Sequence, residues 1–172
     1  VLSHAAAREA AAAITRWPGY APTPLRSLGG LARALGLGRV WYKDEGARFG
    51  LGSFKALGGA YGVAHALAAR PQAPSAQSTV VCASDGNHGR AVAWGARTHG
   101  CRCVVLLPAH VSAAREAAIV AEGARVLRVP GGYDDAVREA DRLARARGWL
   151  VVSDTAYPGY EEIPRAVMQG YT

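Results

Sequence analysis

Lysine is almost missing from this chain. All but two of its 20 basic residues are arginine, and the exceptions are Lys43 and Lys55. The arginine excess reads as a mark of genome base composition and carries little functional weight, but it makes each lysine worth inspecting. Cysteine is also scarce, with three residues, an odd number, at Cys82, Cys101 and Cys103 in apolar, strand-like contexts. That speaks against a disulfide framework and fits buried thiols in a reducing cytoplasm. No pair of His or Cys residues has metal-ligand spacing, and Cys101 and Cys103 are read as pointing to opposite sides of a strand. Long apolar runs are missing too. The longest, such as Val104–Leu107, fall far short of the ~20 residues that a membrane span needs. No N-terminal stretch combines a basic start, an apolar segment and a small-residue cleavage site, so no secretory signal is read and a cytoplasmic location is expected.

Charged residues make up only 19% of the sequence against 50% hydrophobic, and the mean hydropathy is near zero. Such a composition excludes disorder for most of the chain. A length of 172 residues reads as one domain that buries roughly two-thirds of its unfolded surface. A net charge of +7 raises the question of nucleic acid. The arginines are dispersed, however, and the densest group, Arg138, Arg142, Arg145 and Arg147, alternates with Glu139 and Asp141 along one helical pattern. A solvated helix face explains that better than a nucleic-acid partner, and there is no aromatic platform for bases.

From Thr79 onward short β-branched runs alternate with Ala-rich stretches of helical period. Strands are expected at Thr79–Ala83, Arg102–Leu107, Arg125–Val129 and Leu150–Val152, with helices at His88–Thr98, Ala113–Glu122 and Tyr133–Arg147. Each strand is a near-continuous apolar run without alternation, as expected where both faces are covered. Repeated strand–helix–strand units give an α/β fold: an open parallel sheet with helices on both faces and right-handed crossovers. Upstream, helices are expected at Ala5–Thr15 and Phe54–Ala69, a strand at Arg39–Lys43, and a polar linker at Pro71–Ser78. A short C-terminal tail completes the chain.

In such sheets ligands bind beyond the carboxyl ends of the strands, where loops run into helix N-termini. Three junctions have unusual compositions. In the first, Asp44 and Glu45 end a strand, glycines follow at 46, 50 and 52, and Ser53 is placed to cap a helix whose first turn carries Lys55. The helix dipole and burial near Phe54 would depress the pKa of that amine and favour a neutral nucleophile, while an exposed surface lysine explains the spacing equally well. The second is Ser84-Asp85-Gly86-Asn87-His88-Gly89, whose glycines allow close backbone approach to a ligand. An ordinary Asp-Gly turn with a capping Asn is the alternative, and His88 by itself reads as a helix-start hydrogen-bonding residue. The third places Asp154 directly after the last strand, where it could simply cap a turn. In a parallel sheet it would share an edge with Asp85. There is no G-x-G-x-x-G fingerprint, P-loop or G-x-S-x-G elbow.

Taken together, these segments resemble the pyridoxal-phosphate enzymes of fold type II. Ser53-Phe54-Lys55 is similar to that superfamily's cofactor-lysine motif, Ser84–Gly89 to its Ser-x-Gly-Asn-His-Gly loop, and Thr23-Pro24-Leu25 also fits. Within the superfamily the resemblance is to the diaminopropionate ammonia-lyases. It is carried by Lys43-Asp44-Glu45, Arg48-Phe49-Gly50-Leu51, Asp85 in the loop, Tyr133-Asp134-Asp135-Ala136-Val137 and Asp154-Thr155-Ala156. Gly159-Tyr160-Glu161, Ile163-Pro164 and Met168-Gln169-Gly170-Tyr171 extend it to the end of the chain.

The resemblance implies pyridoxal 5'-phosphate as cofactor, with Lys55 bonded to its aldehyde and Asn87 donating to its phenolic oxygen. Ser84, Asp85, Gly86 and His88 would complete the cofactor-binding loop. Asp85 and Asp154 would be the bases at the α-carbon of opposite substrate enantiomers, each needing a pKa brought near the working pH by burial. The substrate implied is a small amino acid, 2,3-diaminopropionate, converted to pyruvate and ammonia, in an enzyme that is a homodimer at full length. By the same resemblance, residues 1–45 belong to a large domain, 46–155 form a small α/β domain, and 156–172 begin the return to the large domain. The family's phosphate-cradling loop and its pyridine-nitrogen contact lie outside the matched part, so a truncated chain with an exposed apolar surface is expected. Two rivals remain. A serine or threonine dehydratase-like enzyme is one, although Asp85 stands where those usually carry a small residue. A non-catalytic α/β remnant without a complete cofactor site is the other.

Overall fold

The computed structural model describes residues 2–70 and 77–172. Its centre is a four-stranded parallel sheet made of β3 (Thr79–Ala83), β4 (Arg102–Pro108), β5 (Arg125–Val129) and β6 (Leu150–Val151), in the order β5-β4-β3-β6. β3 and β4 are central and pair from Thr79 with Arg102 to Ala83 with Leu106. Alternate residues of each strand feed opposite faces, because side chains in a strand point up and down by turns. Val80, Cys82, Cys103, Val105 and Leu107 face α3 (Lys55–Ala68), α4 (Asn87–Thr98) and α5 (Ala113–Val120). Val81, Ala83, Val104 and Leu106 face α6 (Tyr133–Arg147), which contributes Ala136, Ala140 and Ala144. This is the open parallel sheet with helices on both faces expected from the apolar runs.

Several details differ from the expectation. The strand predicted at Arg39–Lys43 is shorter, β2 (Trp41–Lys43), and it lies outside the parallel sheet. It pairs antiparallel with an unanticipated strand, β1 (Leu25–Ser27), followed by a short helix α2 (Gly29–Ala34). The C-terminal tail is a nine-residue helix, α7 (Glu162–Gly170), hidden in the sequence by Pro164. Proline is tolerated there because the first turn of a helix needs no donor from it. The first helix, α1 (His4–Ile14), packs Ala10 and Ile14 with Ala166 of α7 and Tyr61 of α3. Cys101 and Cys103 do not oppose each other: both pack on the same core cluster, since residues two apart share a face. All three cysteines are free thiols. Residues 71–76 of the expected Pro71–Ser78 linker fall outside the described residues.

The arginines of α6 pair along their own helix, Arg138 with Asp135, Arg142 with Glu139 and Arg145 with Asp141. Exposed apolar side chains gather instead around β1, α2 and β2, at Leu25, Leu31, Leu35, Leu37, Trp41 and Tyr42. No helix among the described residues is long and apolar enough to cross a membrane.

α3 is the keystone of its layer because it is small on two sides. A Cβ on Gly95 of α4 would come within 2.6 Å of the Ala60 backbone, and one on Gly59 within 2.6 Å of the Ala91 methyl. On the other side Gly58 faces Gly170, and a methyl on Gly58 would overlap the Val167 carbonyl and the Tyr171 ring. Gly58→Ala should therefore destabilise the chain, since overpacking costs about 1–3 kcal/mol and the helix-propensity gain returns at most ~1 kcal/mol. Urea melts should show a lower midpoint for Gly58→Ala, and an unchanged or raised midpoint would contradict this close α3–α7 contact.

Candidate active site

The sheet order creates one crevice. After β3 the chain turns into α4 and moves to β4 on one side, whereas β6 joins β3 from the other side after two more crossovers. Adjacent strands whose connections diverge leave a cleft beyond their carboxyl ends. A cavity of about 350 Å³ lies there, lined by Lys55, Ser84–His88, Arg115, Tyr133 and Asp154 among others. All seven residues singled out in the sequence, Lys55, Ser84, Asp85, Gly86, Asn87, His88 and Asp154, line it. A larger cleft of about 500 Å³ between α1, Phe54 and Tyr171 is mainly apolar and holds none of those seven.

The loop after β3 is tied from within. Ser84 is buried, and its hydroxyl accepts the N–H groups of Gly86 at 3.0 Å and Gly89 at 2.8 Å. A Cβ on Gly89 would collide with Val105 and with Ser84 itself. Gly86 adopts φ 154°, a conformation that L side chains rarely enter, and so turns the chain into α4. Asp85 and Asn87 are left exposed at the cavity wall. Arg115 reaches across from α5 and donates to the Asp85 carbonyl at 3.1 Å.

Lys55 stands in the first turn of its helix, as its sequence context suggests, but the strand ahead of it is not where that context put it. Because β2 is not in the parallel sheet, the amine is delivered by the first turn of α3, and the glycines at 46, 50 and 52 do not line the cavity. That segment is held by buried Arg48, which pairs with Glu45 at 2.7 Å and donates to the Ala21 carbonyl at 2.8 Å. Phe49 stacks on Trp94 with ring centroids 4.5 Å apart, and Arg90 donates to the Leu51 carbonyl at 3.1 Å. Ser53 accepts the Lys55 N–H at 3.2 Å, and the helix starts at Lys55 rather than Phe54. The Lys55 Nζ donates to Asp154 Oδ2 at 2.9 Å and lies 5.7 Å and 5.2 Å from the centres of the Phe54 and Tyr171 rings.

Asp154 is partly buried after β6. Burial pushes its carboxyl up, but His88 and the Lys55 ammonium outweigh burial, and the net is a carboxylate held below its ordinary value. This corrects the expectation that burial would raise it: with the ammonium alongside, Asp154 is kept ionised. Asp85 is exposed rather than buried, so the burial expected to tune it is not found either. His88 is buried and donates through Nε2 to the Val152 carbonyl at 2.9 Å. Its Nδ1 lies 3.6 Å from Asp154 Oδ2.

Sequence reasoning passed over Arg115 and Tyr133 as cavity groups. Tyr133 opens α6 at the carboxyl end of β5 and shares a 3.3 Å hydrogen bond with Thr155. Its place directly after a strand was the available signal. Arg115 offered none, since it reaches the site only through tertiary packing.

The donor set suits the aldehyde and ring of the cofactor implied by the sequence resemblance. An amine stands on a helix start, a glycine-containing loop opens into the N-terminus of α4, and a carboxylate is paired with the amine. The buried Tyr171 hydroxyl and His88 Nδ1 have no hydrogen-bond partner among the described residues.

Comparison with known proteins agrees with this geometry. A family profile described as pyridoxal-phosphate dependent enzyme matches residues 16–171. The diaminopropionate ammonia-lyase of Salmonella typhimurium is 44% identical, over 90% of this chain and 42% of its own length. The Escherichia coli enzyme of the same name is 40% identical, over 89% of this chain and 42% of its own length. A crystal structure of the Escherichia coli enzyme, in complex with an aminoacrylate-PLP azomethine reaction intermediate, superposes with a TM-score of 0.91 at 39% identity. That match covers 98% of this chain and 46% of the crystallised one. The chain thus spans less than half the length of these relatives.

Because the folded-state carboxyl of Asp154 lies below its unfolded value, its ion pair with Lys55 stabilises the fold above the ordinary carboxylate range, near 3.8, and the effect is lost as pH falls through the lower folded value. For a half-buried pair, Asp154→Asn should cost about 1–2 kcal/mol at neutral pH. Urea unfolding should show the wild type and Asp154→Asn converging at acid pH. A gap that stays constant with pH would contradict the ion pair.

Proposed function

Since the chain belongs to the pyridoxal-phosphate-dependent enzyme family, with fold type II architecture, we propose that it carries the lysine, loop and base of an ammonia-lyase acting on 2,3-diaminopropionate. The single observation that carries this reading is the Lys55 Nζ, 2.9 Å from Asp154 in the cavity lined by Ser84–His88. The names of the relatives above support the substrate.

Pyridoxal phosphate, when bound, supplies an aldehyde for an amine and a ring that takes up an electron pair from the α-carbon. Lys55 would hold its aldehyde carbon and Asn87 its phenolic oxygen. Ser84, Asp85, Gly86 and His88 would shape the loop beside it. Asp154 would take the α-proton of one enantiomer, and Asp85, exposed at the same cavity, that of the other. Asp154 is poised for this only after Lys55 has left it, because an ion-paired carboxylate is a weak base. Overall, diaminopropionate and one water give pyruvate and two ammonia. Asp85 and the higher similarity to the ammonia-lyases favour this over a dehydratase-like reaction.

The same reading assigns residues 1–45 and 156–172 to a large domain and 46–155 to a small one. Packing of α1 on α7 supports it, as does the exposed apolar surface of β1, α2 and β2, which would face the remainder of the large domain. A homodimeric full-length enzyme follows from it. So does a cytoplasmic setting for amino-acid breakdown, in which Cys82, Cys101 and Cys103 remain thiols.

The chain incubated with pyridoxal phosphate, reduced with borohydride and digested should carry the label on Lys55. A label on Lys43, or no adduct at micromolar cofactor, would overturn the reading. In a full-length enzyme carrying this segment, pyruvate release should be faster from diaminopropionate than from serine or threonine. Asp85→Asn and Asp154→Asn should each impair one enantiomer more than the other, and equal losses would refute the two-base assignment.

A further inference from the structure

His88 is the residue of the cavity whose chemistry the foregoing leaves unused. Its side chain is 6% exposed. The Val152 carbonyl 2.9 Å from Nε2 can only accept, so in the neutral ring the hydrogen sits on Nε2 and Nδ1 is a bare lone pair. That lone pair faces Asp154 Oδ2 across 3.6 Å and has no hydrogen-bond partner among the described residues. In the neutral ring two acceptors therefore confront each other, and the one proton that would join them also makes His88 the cation that favours the Asp154 carboxylate.

The oxygen involved is the one that Lys55 already holds. Oδ2 accepts from Nζ at 2.9 Å while facing Nδ1. Asp154 thus sits between a donor that satisfies it now and an acceptor that satisfies it only once it is protonated. We propose that His88 is a positioning residue for Asp154: when Lys55 has left, a proton gained by Oδ2 is shared with His88 Nδ1 across the hydrogen bond between them. This deepens the assignment of Asp154 as a base and rests on it.

The step balances without a further reactant. The substrate's α-carbon–hydrogen bond breaks, its electron pair stays with the carbon, and an O–H bond forms at Oδ2 and points to Nδ1. Closing the gap to hydrogen-bond length needs a movement of about 0.5–0.8 Å. Burial keeps the imidazole below its ordinary value, against the pull of Asp154 and with the push of Lys55, which leaves Nδ1 free to accept. The other titratable groups around the cavity are Asp85 on the same loop, Arg115 of α5 and Tyr133 of α6. Cys82 of β3 and Tyr171, just past the end of α7, sense the Asp154 charge, and burial raises the pKa of both.

The test needs no cofactor and no turnover. Nitrogen NMR of the histidine rings is recorded across pH for the wild-type chain, for Lys55→Gln and for Lys55→Gln combined with Asp154→Asn. The wild type should show His88 with hydrogen on Nε2 and a bare Nδ1 at neutral pH. Removing the ammonium should raise the midpoint of proton uptake at Nδ1 by about one pH unit or more, a roughly tenfold gain in proton affinity. The added Asp154→Asn should abolish that rise. A hydrogen on Nδ1 in the wild type, an unmoved midpoint in Lys55→Gln, or a rise that survives Asp154→Asn would each overturn the proposal. If a variant fails to fold, the wild-type tautomer alone still decides. Absence of a cofactor label on Lys55 would end the lyase reading without touching this readout.

Discussion

The placement of β6 beside β3, rather than beside β5, governs the site. The chain leaves β3 toward β4 and β5 and must then cross back over the sheet through α6 to pair Leu150 with Val80 and Val151 with Val81. Only that return brings the segment after β6 next to the segment after β3. Val152 continues it, donating its N–H to the Val81 carbonyl at 2.9 Å, while its own carbonyl receives His88. A register error in this two-residue strand would separate Asp154 from His88 and Lys55 together. Right-handed crossovers and parallel pairing make the crevice a product of topology, and residues 70 or 99 apart in sequence become neighbours there.

On that scaffold the charges balance in a way that suits a resting state. Asp154 is stabilised as an anion by Lys55, and Lys55 is placed by Asp154 and by the Phe54 and Tyr171 rings. The segments around them are tied by other pairs as well: Arg48 with Glu45, and Glu122 with both Arg90 and Arg97. Arg90 joins the two systems, because it also donates to the Leu51 carbonyl ahead of Lys55. The site can therefore exchange one charge partner for another while the loops around it stay fixed.

The parallel core was legible from the sequence because its strands are short continuous apolar runs between amphipathic helices, and Thr79–Ala83 and Arg125–Val129 coincide with the observed strands. In the ribbon β2 was anticipated, though too long, while β1 was not, since a three-residue strand exposed on every residue carries no periodic signal. α7 was masked by Pro164 at its start and Gly170 at its end, the residues that ordinarily mark its absence. At the site, local composition pointed to Lys55, the Ser84–His88 loop and Asp154. It took the strand ahead of Lys55 for part of the parallel sheet and misread which way Asp154 titrates. Both depend on a partner distant in sequence: β1 pairing with β2, and the Lys55 ammonium holding Asp154. The bare Nδ1 of His88 depends on a backbone carbonyl, which no side-chain pattern can announce.

A crystal structure of the chain soaked with pyridoxal phosphate tests the central claim, that three separate segments form one cofactor site. Density should run continuously from Lys55 Nζ into the cavity, between the Ser84–His88 loop and Tyr133, with Asp154 released from the amine. Cofactor bound to Lys43 or lodged in the apolar cleft beside α1, with the Lys55–Asp154 pair intact, would contradict it.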